Sequence, residues 1–94
     1  MGKIPVAILS TAEFNAPLMV DRDSLTFGRT GDERSLAFCG TGKPDINHDG
    51  MPDLLCHFQT RSSGLRLGDT QAILNGQTLD GVPFTGQDAV QMLK

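Results

Sequence analysis

A chain of 94 residues with 11 acidic and 8 basic side chains has a net charge of −3, and its Lys and Arg residues are scattered singly, which argues against a nucleic-acid partner. No apolar run approaches the roughly 20 residues needed to cross a bilayer, so membrane insertion is not expected. The length suits one domain, residues 1–94, and 11 Gly, 5 Pro and the absence of Trp and Tyr suit a turn-rich β domain.

Met1, Gly2 and Lys3 lead straight into an apolar run with no signal peptide, a start that reads as an excised domain and says little about export. Residues 4–9 form a short β-branched run, consistent with a strand buried on both faces. Ser10 and Glu13 stand in the S-x-x-E arrangement of a capping box, which predicts one helical turn through Phe14, ended by Pro17. Residues 18–20 fit a short edge strand. Residues 21–24 fit a turn whose carboxylates accept nearby backbone amides rather than form a second metal site. Leu25 and Phe27 share a face of the next strand. Residues 30–33 read as a turn, and Leu36 and Phe38 as an inward-facing pair on a strand that ends at Cys39. Residues 40–44 are rich in Gly and end in Pro44, a breaker sequence.

Residues 45–53 carry the chemistry. Asp45, Asn47 and Asp49 place oxygen-bearing side chains at the first, third and fifth positions, Gly50 is sixth, and the Met51 carbonyl is seventh. Ca²⁺ is a hard cation that takes six to eight oxygen ligands, and an EF-hand-like loop supplies them in this order. Gly50 permits the sharp turn that aims the Met51 carbonyl inward. Asp53, at the ninth position, adds a third carboxylate. The twelfth position, a bidentate Glu in the helix–loop–helix version, is Cys56, which is no calcium ligand. Residues 54–60 read as a strand. The loop therefore joins two strands, and Asp53 has to close the ligand set. In this it resembles the D-x-D-x-D-G-x-x-D loops of integrin-type β-propellers and thrombospondin type 3 repeats.

Beyond the loop, Leu54, Cys56 and Phe58 share one face, with Leu55 and His57 on the other. Residues 61–68 form a polar crossover anchored by Leu65 and Leu67. Residues 72–79 make a strand, and Asp80-Gly81 is a strong hairpin signal ahead of residues 82–84. Residues 89–93 suit a final strand with Val90 and Met92 on one face. Six to eight short strands with frequent turns predict an all-β, immunoglobulin-like β-sandwich.

Taken together, residues 6–11, residues 24–31, the D-x-N-x-D-G-x-x-D-L loop with Cys56, His57 and Phe58, residues 68–70 and residues 79–81 resemble a small calcium-binding β-domain. That domain recurs as an accessory module in large secreted bacterial and archaeal proteins. The resemblance implies an extracellular module without assigned catalysis, and His48 stands where small residues are common.

Cys39 and Cys56 bracket the loop. Antiparallel neighbours on either side of a turn can bring their Cα atoms within disulfide range, and a disulfide is favoured over two buried thiols in a secreted context. A zinc set of Cys39, His48, Cys56 and His57 lacks the usual ligand spacings. Cys56 and His57 are adjacent in a strand, so they face opposite ways and cannot pair as nucleophile and base. No other residues assemble a catalytic site, so an enzyme is not expected. Asp69 and Asp88 read as turn residues that could reach the metal from outside the loop. The expected protein is a secreted calcium-binding module, with a carbohydrate-binding module or a self-association (adhesion) module pairing through edge strands as alternatives. Its expected partners are Ca²⁺ and neighbouring domains or copies of itself.

Overall fold

Among the described residues there are six strands: β1 (Lys3–Ile8), β2 (Val20–Gly28), β3 (Leu36–Cys39), β4 (Leu54–Gln59), β5 (Gln71–Thr78) and β6 (Pro83–Ala89). Two single-turn helices, α1 (Ala16–Met19) and α2 (Thr60–Ser63), lie between them. The structure is a computed structural model that describes residues 2–42, 44–66 and 71–89, with the side chains of β6 only as far as residue 86. The strands form two antiparallel three-stranded sheets, ordered β1-β4-β3 and β2-β5-β6. The protein is an all-β sandwich.

One apolar core joins the sheets. Leu54, Cys56 and Phe58 alternate along β4 and are all but completely buried, as the period of two requires. They meet Leu25 and Phe27 of β2 and Ala72 and Leu74 of β5, and the Phe27 and Phe58 rings lie 4.8 Å apart. Full burial of one such side chain stabilises the fold by roughly 1.5–3 kcal/mol. Gly76 of β5 allows close packing above it: a Cβ there would lie 2.7 Å from Leu25 Cδ2 and 2.9 Å from Phe84 Cζ. Because β3 and β4 are hydrogen-bonded neighbours, the 40–53 connection must return close to where it left.

Several local readings are corrected. Residues 10–14 form no helical turn; Thr11 and Phe14 make a tight two-way backbone bridge instead. The helical turn lies just after it, at α1, where the Asn15 side chain caps the Leu18 amide at 3.2 Å. Pro17 falls in the first turn of α1, where its missing N–H costs nothing, so it opens the helix rather than ending a preceding one. Leu18 and Met19 are accordingly helical, and only Val20 joins a strand. Residues 21–24 keep their turn chemistry, with the Asp23 amide on Asp21 Oδ1 at 3.2 Å and the Ser24 hydroxyl on the Asp21 carbonyl at 2.6 Å. They sit inside β2, however, at a register shift against β5. A second shift, between Leu36 and Phe38, turns Phe38 outward, where it is exposed and stacks on His57 at 4.6 Å. Leu65 is buried as expected. The Asp80-Gly81 hairpin forms with Gly81 at φ 85°, and the strand after it is β6. The strand expected over 89–93 and its Val90 and Met92, together with Leu67 and residues 68–70, lie outside the described residues.

The 30–33 turn is held by Glu33. Its carboxylate accepts the Thr30 amide, the Thr30 hydroxyl at 2.9 Å and the Gly31 amide at 2.9 Å. Burial raises the pKa of this carboxyl, but the bonds from the Thr30 hydroxyl and the Thr30 and Gly31 amides outweigh it and hold the value below its ordinary 4.5. With the folded pKa below the unfolded one, these bonds contribute fully above about pH 4.5, and the contribution is lost as pH falls through the lower folded value. Glu33→Gln is expected to cost about 1 kcal/mol at neutral pH and to flatten that part of the acid-unfolding curve. An acid limb identical to wild type would contradict this role.

Candidate metal centre

The loop between β3 and β4 is closed at its base before any ion is considered. The Gly40 amide donates to the Leu55 carbonyl at 2.8 Å, and the Asp53 amide to the Pro44 carbonyl at 2.7 Å. Cys39 and Cys56 are direct register partners and form a disulfide across a Cα separation of 3.9 Å. The favoured pairing is therefore present, at a separation just under the usual range of about 4.4–6.8 Å. Linking residues 17 apart in sequence stabilises by about 3 kcal/mol in the chain-entropy model. The bonded sulfurs are not thiolates, so the zinc set through these cysteines is ruled out.

The loop turns through two left-handed residues, His48 at φ 59° and Gly50 at φ 86°. A Cβ on Gly50 would meet nothing within 4 Å, so backbone conformation rather than space calls for glycine there. His48 is the more unusual of the pair, since a residue with a side chain loses roughly 1 kcal/mol or more in that region.

With these turns in place, Asp45, Asp49 and Asp53 converge, and one carboxylate oxygen from each lies within 4.8 Å of the other two. Asp45 accepts the Asp49 amide at 3.1 Å on Oδ1 and the Gly50 amide at 2.8 Å on Oδ2. Asp49 Oδ1 accepts the Met51 amide at 2.9 Å. Desolvation raises the Asp45 pKa, but the Gly50, Asp49 and His48 hydrogen bonds prevail and hold this carboxyl below its ordinary value. The shift favours the ionised form, which is the one a hard cation binds. Of the other two proposed ligands, Asn47 is exposed on the same loop and Met51 is half-buried.

Asp53 differs from the other two. It is completely buried, and its carboxylate ties two distant segments together, accepting the Ser10 amide at 2.8 Å on Oδ1 and the Ile46 amide at 2.9 Å on Oδ2. Ser10 extends the tie: its hydroxyl donates to the Pro52 carbonyl at 2.6 Å and accepts the Ala16 amide at 2.8 Å. The capping-box reading assigned that hydroxyl to its own segment, and no local pattern marks a contact 43 residues away. Ser10 is thus the residue of this centre that sequence reasoning misses.

Each engaged carboxylate oxygen keeps a second lone pair, so the amide bonds orient the three groups without exhausting them. Three anionic groups this close repel one another, and a bound cation relieves that repulsion. The cluster can hold a metal ion. Asp69 and the side chain of Asp88 lie outside the described residues. No family model, curated protein or solved structure matches the chain, so the centre is read from its own geometry.

Proposed function

We propose that this protein is an extracellular accessory module whose 45–53 loop binds Ca²⁺ and uses it as a structural staple. The observation that carries the reading is the convergence of Asp45, Asp49 and Asp53 within 4.8 Å at first, fifth and ninth positions of the loop. Oxygens on a Ca²⁺ shell of about 2.3–2.6 Å radius are separated by at most about 5.2 Å, and a span within 4.8 Å is compatible with that limit. Octahedral Mg²⁺, at about 2.1 Å, holds its ligands within about 4.2 Å of one another and dehydrates reluctantly. The Asn47 side chain, the Met51 carbonyl and water complete the proposed shell. All donors are hard oxygens, which disfavours soft transition metals.

The disulfide fits an oxidising compartment, and among the described residues no helix is long and apolar enough to cross a membrane. Both are compatible with secretion, as is the likeness to the small calcium-binding β-domains of secreted proteins. In this reading the ion serves the fold and no catalysis is assigned.

Amide NMR spectra of chelator-stripped protein, titrated with Ca²⁺, test the site residue by residue. Shifts are expected for residues 45–53 and for Ser10, saturating with a Kd of about 10⁻⁵–10⁻³ M, as befits three carboxylates rather than four or more. Shifts confined to other parts of the chain, or none at several millimolar, would refute the assignment.

A further inference from the structure

Cys39 is the last residue of β3, a four-residue edge strand with three register pairs to β4, the middle one next to a register shift. A strand that short frays from its ends, and the end in question is where the 40–53 loop begins. The Cys39–Cys56 bond locks that final pair, one residue before the Gly40 amide meets Leu55 and three residues after Asp53. β4 is held by other contacts as well: β1 pairs with β4 over six positions, and the Phe27–Phe58 contact joins the sheets.

We propose that the disulfide and the metal loop form one thermodynamically linked device, in which the oxidised chain holds the loop ready for the cation and reduction releases it. The inference rests on the calcium reading for its metal half; the release of the loop stands on the backbone geometry alone. Cys56 is completely buried, whereas Cys39 is half-buried, so Cys39 is the more exposed residue of the pair. An external dithiol supplies two electrons and two protons: the S–S bond breaks, Cys39 and Cys56 become thiols, and the dithiol closes to its own disulfide. Linkage makes the effect reciprocal. Whatever factor reduction takes from cation affinity, bound cation returns as resistance to reduction.

The test compares the oxidised protein, the dithiol-reduced protein and the Cys39→Ala/Cys56→Ala double variant. In the last two, hydrogen exchange at the Gly40 and Asp53 amides is expected to quicken at least about tenfold and to run faster than at amides of the β1–β4 pairing, whose protection falls only by the global stability lost with the disulfide. Calorimetry is expected to show Ca²⁺ binding about tenfold weaker in both. Saturating Ca²⁺ is then expected to shift the equilibrium with a dithiol buffer by the same factor, about 30 mV for this two-electron couple. Unchanged exchange at Gly40 and Asp53, or exchange there no faster than at the β1–β4 amides, overturns the clamp. Equal Ca²⁺ affinity in all three forms overturns the linkage while the calcium reading stands. No binding by the oxidised protein removes the calcium reading, and the linkage with it.

Discussion

Asp53→Ala is expected to destabilise the protein by roughly 2–5 kcal/mol even in the presence of chelator, because two amides lose their acceptor in a site closed to water. The residue is completely buried and receives the Ser10 and Ile46 amides. For a small domain that loss is a large fraction of the total stability. Urea unfolding of the metal-free variant measures it. A loss below about 1 kcal/mol would mean that water or a shifted backbone satisfies those amides, and that Asp53 is only a ligand.

Asp49→Ala is expected to behave in the opposite way. Asp49 is exposed, and removing its charge relieves repulsion in the metal-free loop, so stability with chelator should change little or rise. What it should lose is the gain from calcium. An ion that binds only the native state adds about 2.7 kcal/mol at a hundredfold excess over Kd, which for a chain of this size is a melting shift on the order of ten degrees or more. Melting curves of wild type and variant, each with calcium and with chelator, separate the two effects. Asp21→Ala serves as the control, since the Asp21 side chain accepts the Asp23 amide in the β2 irregularity, away from the loop, and its loss should cost about 1 kcal/mol in both conditions. A full wild-type calcium shift in Asp49→Ala would contradict the role given to the loop.

The features legible in the sequence are those with a local physical cause. Alternation marks Leu54, Cys56 and Phe58 as one buried face, because side chains in a strand point alternately to its two sides. Asp80-Gly81 marks a hairpin, and the loop's positions bring Asp45, Asp49 and Asp53 together. The readings that failed were settled by distant partners. Ser10 and Glu13 spell a capping box, but the Ser10 amide and hydroxyl are taken by Asp53, Pro52 and Ala16. Residues 21–24 carry turn chemistry and do make those bonds, yet pairing with β5 draws them into a strand. Phe38 has the apolar character of a core residue, and one register shift beside it reverses its direction. Pro17 can open a helix as well as end one, and the Asn15 cap decides which.

The most direct measurement on the centre is a calorimetric titration of chelator-stripped, oxidised protein with Ca²⁺, run beside Asp45→Ala and Asp49→Ala. The expected result is one ion per chain with a Kd of about 10⁻⁵–10⁻³ M for wild type and no measurable binding for either variant. No heat from wild type at several millimolar Ca²⁺, or wild-type affinity in both variants, would contradict a calcium centre at residues 45–53.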